Sequence, residues 1–330
     1  MVRQRFQHKV ITSPVTLPFI AIICTLFYAV ACWLYPPLSP SYTSPFEGWV
    51  GGIVKSTNLR IIFAYLIFGF TGYLLREITL AYSLIRSRTT FQVSFYFLLV
   101  ICFPALYAFS ISNFIAPLFY ISLFFLFRAY QRVNPVSLVF YAMAGIGLIS
   151  LLFPQIIYFI PLFYIGLFQF NALSWRTFFA GVVGLAFPYW FLAGHAFFYN
   201  DMDLLYQPFL TLVNARFMDY SSITIAQYIS FGMVVWLFLV GTFYHFSLGY
   251  NDKIRTRIFM NFLVTLGGFL ILYIILQPSC YNPALQLLLP LTSLLSVRVY
   301  TASHSKTSTI FFMLTLFLLL LIAGFNVWQP

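Results

Sequence analysis

LPFIAIICTLFYAVACWLY, residues 17–35, runs for 19 positions without a charged side chain. An α-helix rises about 1.5 Å per residue, so a run of this length reaches across a bilayer core of roughly 30 Å. It follows the basic segment MVRQRFQHK (1–9), an order shared with secretory signals. The apolar part is long for a signal. The following PPLSPS (36–41) offers no small-x-small cleavage site, so the run reads as a retained first helix.

Ten further apolar runs follow, at about 60–84, 91–109, 113–130, 136–153, 155–172, 177–199, 227–248, 258–277, 283–299 and 308–327. Each lies near the roughly 20 residues a membrane-crossing helix needs. They are continuous rather than alternating, which selects helices over a β-barrel. Composition agrees. The chain is 62% hydrophobic, 22% aromatic and 7% charged, where a soluble domain carries about 25% charged residues. No polar segment is long enough for a separate soluble domain. The expected fold is all-α: a polytopic integral membrane protein of about eleven transmembrane helices, one domain over 1–330.

Charge sets the expected orientation. With the N-terminus in the cytoplasm and every run crossing once, fourteen of the 17 Lys and Arg fall on the cytoplasmic side, and only Lys55, Arg60 and Arg216 fall outside. An excess of positive charge on the cytoplasmic side is what orients such proteins. The C-terminus is then outside, and the expected home is the cell inner (plasma) membrane. The net charge of +11 is spread singly between apolar runs, so no nucleic-acid-binding face is expected. The four cysteines, Cys24, Cys32, Cys102 and Cys280, have no zinc-ligand spacing.

An internal echo stands out. ICFPAL (101–106) and APLFYISLF (116–124) match LLFPQI (151–156) and IPLFYIGLF (160–168), as a duplicated helical hairpin would. Two outer loops are long, at about 36–58 and 200–226. In the second, Leu204, Leu205, Pro208, Phe209, Leu212, Val213 and Phe217 recur at helical spacing. They predict an amphipathic helix lying in the interface after Asp203.

Only six residues are acidic, and Asp201, Asp203 and Asp219 crowd into 198–222. With Glu47, four of the six face outward in this topology; Glu77 and Asp252 face inward. Carboxylates at a membrane rim can act as general bases, bind a divalent cation or bind sugar hydroxyls. The plainer reading of Asp201 or Asp203 is a helix cap. Arg216 can take a phosphate or carboxylate, or pair with Asp219 three residues on. His195, about a turn and a half into the membrane, can hydrogen-bond a ligand or a neighbouring helix. His245 is expected at the cytoplasmic interface. Arg76 and Glu77 are adjacent, and neighbours on a helix do not face each other; if the second helix runs on to about Leu84 they lie in the inner half of the membrane, where charges tend to mark function, and if it ends earlier, the reading favoured, they snorkel at the interface. No GxxxxGK[ST], HExxH or GxSxG occurs.

The stretches NLRIIFAYLIFGFTGYLLREITLAYSLIRSRTTF (58–91) and LFFLFRAYQRVNPVSLVF (123–140), with the sequence on to Phe191, resemble an uncharacterised family of polytopic inner-membrane proteins of Gram-negative bacteria. The layout is also similar to the GT-C superfamily of membrane glycosyltransferases: a cytoplasmic N-terminus, a first helix, an acid-bearing outer loop, then paired hairpins. That resemblance implies a transferase using a lipid-linked sugar at the outer face. Glu47 would be its base, Asp201 and Asp203 metal or acceptor ligands, and Arg216 a contact to lipid phosphate. His195 and Asp219 complete the candidate substrate site. The departures are a lone Glu in SPFEGW (44–49) where the superfamily usually has Asp, and no large C-terminal soluble domain. The alternative class is a non-enzymatic membrane component, a transporter or an assembly partner.

Overall fold

The computed structural model of the chain describes residues 6–34, 46, 56–87, 89–213, 218, 220, 223–249, 252–302 and 306–328. Among these residues the regular structure is entirely helical. The helices are α1 (Phe6–Thr12), α2 (Thr16–Leu34), α3 (Thr57–Ala81), α4 (Phe91–Val100), α5 (Ile115–Arg128), α6 (Val136–Leu152) and α7 (Ile160–Gln169). Then come α8 (Trp175–Phe198), α9 (Asp203–Val213), α10 (Ile225–Leu248), α11 (Ile254–Leu276), α12 (Tyr281–Ala302) and α13 (Lys306–Trp328).

Each of the eleven apolar runs contains a helix, though not every run is helical throughout. Eight helices among the described residues are long and apolar enough to cross a membrane: α2, α3, α5 with its leading turn, α8, α10, α11, α12 with its leading turn, and α13. The other three apolar runs form shorter pieces, Phe91–Val100, Val136–Leu152 and Pro154–Gln169. The ten residues of α4 rise only about 15 Å, half of a hydrocarbon core. The outer helices present large apolar side chains outward. On α2, Phe19, Ile22, Leu26, Val30 and Trp33 are exposed, while Cys24, Tyr28, Ala31 and Cys32 are buried. An apolar stripe pointing away from the protein is at home in lipid and not in water.

The short helices are ended by proline. Phe103 (φ −127°, ψ 79°) precedes Pro104, and Phe153 (φ −142°, ψ 83°) precedes Pro154. A residue before proline is pushed out of the α region, and proline then suits the first position of the next turn. Each proline opens a 3₁₀ turn that leads towards the next helix. The device recurs at Gln277 (φ −130°, ψ 78°) before Pro278, between α11 and α12. The echo seen in the sequence coincides with one repeated backbone break, and a third instance lies outside that echo. Other helices end with asparagine in the left-handed region, Asn171 (φ 52°) after α7 and Asn200 (φ 54°) after α8. There Ala172 N–H donates to Leu167 O at 3.0 Å and Asp201 N–H to Ala196 O at 2.9 Å, the closure of a Schellman end.

Helix α12 lies at the centre. In its apolar window 94% of residues are buried, against 28% for α13 and 22% for α2. It packs on α4, α10 and α11. A second tight unit forms from α5, α6 and α8. Glycines let its backbones meet: a Cβ on Gly184 would lie 2.6 Å from Phe140 O, and one on Gly147 2.7 Å from Leu185 O. Arg76 and Glu77 sit within α3, which runs on to Ala81. Contrary to the expectation for adjacent residues, they pair, with Arg76 Nη1 3.1 Å from Glu77 Oε1 and both side chains 41% exposed. Long side chains bend back to meet where a helix surface is open.

The glycine contacts give a stability test. Gly184→Ala should destabilise the protein by about 1–3 kcal/mol, because the methyl meets backbone rather than a movable side chain. Gly268→Ala, with nothing within 4 Å, should be neutral or stabilising, since alanine favours a helix over glycine by about 1 kcal/mol. Thermal unfolding of the two variants in detergent checks the contrast.

Candidate functional site

The residues expected to form an outer site are described only in part. Glu47, Arg216 and Asp219 lie outside them. Asp201 follows the end of α8 and Asp203 opens α9, and both are exposed. Neither carboxylate bonds to another described group, so neither acts as a side-chain cap. Asp203 still stands in the first turn of α9, where a carboxylate complements the helix dipole. The predicted amphipathic helix is present as α9. Its Phe209 ring lies 5.5 Å from Tyr189 on α8. His195, in the last turn of α8, is half-buried with its ring 4.5 Å from that of Tyr199. Among the described residues no three His, Cys, Asp or Glu side chains gather in a metal-binding group.

A charged cavity forms elsewhere, where α10 turns into α11 beside the end of α12. Gly241 on α10 starts it. A Cβ there would lie 2.8 Å from Leu295 Cβ, so α10 and α12 run in close contact at this level. One turn further along each helix come His245 and Arg298. His245 Nδ1 lies 3.4 Å from Arg298 Nη1, and its Nε2 lies 2.7 Å from Asn261 Oδ1 on α11. A carboxamide oxygen only accepts, so Nε2 carries the proton and Nδ1 accepts from the guanidinium. That arrangement holds His245 in its neutral form. His245, expected toward the cytoplasmic end, stands in the last turn of α10 and is 4% exposed, its ring enclosed by protein.

Asp252, in the α10–α11 turn, supplies the counter-charge. One carboxylate oxygen accepts from Arg298 Nη2; the other accepts from Arg86 Nε at 2.8 Å. Arg86 arrives from the loop between α3 and α4. That loop is tied to α11 by Thr256 Oγ1, which donates to Ser83 O at 3.4 Å. The side chains of Asp252 and Arg298 are 4% and 10% exposed, and that of Arg86 is 58% exposed. Beside the triad lies a cavity of about 170 Å³, lined also by Tyr244, Gly249, Thr301 and Ala302.

Two other spaces differ in character. At the opposite end of α12, Ser110, Ser112, Asn113, Asn282 and Gln286 surround about 10 Å³. There Gln286 Nε2 donates to Asn113 Oδ1 at 3.1 Å. Asn113 Nδ2 and Gln286 Oε1 have no protein partner, and a space of about this size suits one water. An apolar groove of about 480 Å³ runs between α2, α4 and α13, with Lys9 at its edge.

Comparison with protein-family models, with curated proteins and with solved structures finds no match. The charged cavity therefore rests on its own geometry. Its parts were visible in the sequence only singly, as orientation signals and as one of two inward acids. Arg86, Asp252 and Arg298 are separated by 166 and 46 positions. One signal was available. Arg298 sits in an apolar run, and Asp252 lies seven residues past His245.

The burial contrast predicts unequal variants. Asp252→Ala leaves Arg298 buried without its carboxylate and should cost about 3–5 kcal/mol. Arg86→Gln removes a mostly solvated partner and should cost less than about 1 kcal/mol. Denaturation in detergent, with Glu77→Gln as an exposed-pair control, measures the ranking.

Proposed function

We propose that this chain is a multi-pass protein of the plasma (inner) membrane that holds a charged ligand in the cavity at its basic, cytoplasmic end. It belongs in this reading to the non-enzymatic class, as a transporter or assembly component. The observation that supports it is the cavity itself. Two guanidinium groups converge from different parts of the fold on one buried carboxylate, an imidazole orients one of them, and space is left beside them. Buried charges in a membrane protein tend to mark function, because each must be solvated by protein. The sorting of Lys and Arg to this end supports its cytoplasmic placement.

The outer-face glycosyltransferase acting on a lipid-linked sugar, with or without a divalent cation, is the alternative. It rests on the GT-C resemblance, on Glu47, Arg216 and Asp219, and on Asp201, Asp203 and His195. The two readings separate in a deletion strain complemented with wild type, Glu47→Gln, the double variant Asp201→Asn with Asp203→Asn, or Arg298→Gln. The transferase reading expects lipid-linked sugars, measured by mass spectrometry, to accumulate in the deletion strain and with the acid variants. The ligand-binding reading expects no such accumulation, and loss of complementation only with Arg298→Gln.

Orientation and access are tested together by cysteine labelling. All four native cysteines are buried, so a single introduced thiol is readable. Thr301→Cys should react with a membrane-impermeant maleimide in inverted vesicles and not in intact cells. Labelling from the outside would reverse the orientation, and no labelling from either side would remove the cavity as an accessible site.

A further inference from the structure

We infer that the cavity at the basic end recognises a phosphate oxyanion, with Asp252 acting as a tethered anion that holds the site when no ligand is bound. The inference rests on the reading of this cavity as the ligand site. It begins from how Asp252 is held. Its two oxygens are taken by two different guanidinium groups, Arg86 from the α3–α4 loop and Arg298 from α12. Two guanidinium groups that each give one donor to the same small anion make an oxyanion site, and guanidinium matches phosphate geometry as well as carboxylate. The carboxylate marks the position an external anion would take.

Charge and donor count favour an incoming anion. Two arginines against one aspartate leave an excess of one positive charge, since His245 is neutral. Arg298 is fixed: one terminal nitrogen is on His245, the other on Asp252, and the side chain is 10% exposed. Arg86 is the adaptable partner. It reaches Asp252 through Nε alone, is 58% exposed, and keeps both terminal nitrogens without a bond to any described group. Tyr244 and Thr301 also line the space, the Thr301 hydroxyl donating to Arg298 O at 3.1 Å. A phosphate, with more acceptor oxygens than a carboxylate, can take the unbonded terminal nitrogens of Arg86 as well as Arg298. A cation has poor prospects here. The one carboxylate is already bonded by two arginines, and the His245 Nδ1 lone pair is directed at Nη1 of one of them, Arg298.

The phosphate can belong to a lipid headgroup or be free, and the test separates the two. The purified full chain in a phosphate-free maltoside detergent is titrated with inorganic phosphate at constant ionic strength, with thermal unfolding as the readout. In a second arm, native mass spectrometry compares retention of phosphatidylglycerol and phosphatidylcholine from equimolar mixed micelles. Phosphate should raise the unfolding temperature of the wild type. Arg86→Gln should weaken binding about tenfold, the loss of one charged hydrogen-bonding partner. Asp252→Asn should tighten it by about the same factor, because the internal competitor is gone; phosphate should then restore part of that variant's lost stability. Preferential retention of phosphatidylglycerol, lost in Arg86→Gln, assigns the phosphate to a lipid; a response to inorganic phosphate alone assigns a free anion.

The inference is overturned if neither phosphate source has an effect on the wild type, if Arg86→Gln binds as well as wild type, or if Asp252→Asn binds less. Should Asp252→Asn not fold, Arg86→Gln decides alone, because its partly solvated side chain is dispensable for folding. The labelling of Thr301→Cys keeps the two levels apart. A labelled thiol with no phosphate effect sinks only the phosphate, whereas an unreactive thiol sinks the site.

Discussion

Helix α12 has protein around it almost everywhere, so its polar side chains must be satisfied by neighbouring helices rather than by lipid or water. The bonds it makes go in different directions. Gln286 bonds Asn113 ahead of α5, Ser293 donates to Gln92 O on α4 at 2.6 Å, and Tyr300 O–H donates to Thr315 on α13 at 2.9 Å. Gln7 on α1 donates to Tyr300 O at 2.6 Å. Arg298 takes up Asp252 and His245. Interhelical bonds of this kind contribute only about 0.6 kcal/mol each on average in a membrane. Their effect is to fix register, because a slip of α12 by one residue would leave several buried polar groups without partners at once.

The same constraint accounts for how the charged triad is built. A buried arginine is tolerated only with a counter-charge and satisfied hydrogen bonds. α12 cannot supply a carboxylate, having none, and the α10–α11 turn does. Asp252 N–H donates to Gly249 O at 3.0 Å, which shapes that turn. A Cβ on Gly249 would come within 3.2 Å of His245 Nδ1. The glycine thus leaves room for the ring that orients Arg298. A triad built only to staple three segments would need no adjoining space. The cavity, and the solvated Arg86 beside it, are what a staple does not require.

The architecture was legible because membrane solvent leaves a coarse signal. Runs such as 17–35 and 308–327 are apolar over a whole helix, and each is a helix in the structure. The finer calls of length were harder. The run 91–109 reads as one span, yet Phe103 before Pro104 stops α4 at Val100, because proline's effect on the preceding residue is local and hydropathy does not register it. The charged site was illegible for a different reason. Arg86 and Arg298 were counted as orientation signals, a role that depends only on which side they lie, while their meeting depends on the packing of α10 against α12 at Gly241. Asp201, Asp203 and Asp219 are close along the chain and so stand out in the sequence, whereas Asp252 and its arginines are distant along it and close in space.

The placement of polar groups along α12 follows from the dielectric. Asn282 and Gln286 stand at one end, Thr292, Ser293 and Ser296 further along, and Arg298 four residues before the last residue, Ala302. Neutral groups occupy the interior, where a hydroxyl can return its proton to a carbonyl one turn back, as Thr292 does to Leu288 O at 2.9 Å. The charge appears only near an end, where the cost of desolvation falls and solvated partners such as Arg86 can reach it. A ligand's charge is subject to the same gradient. On the reading proposed above, an anion arriving at this end would meet one arginine that is largely solvated and one that is held. Its binding would ask no reorganisation of α12, whose register is already set by the bonds along the rest of its length.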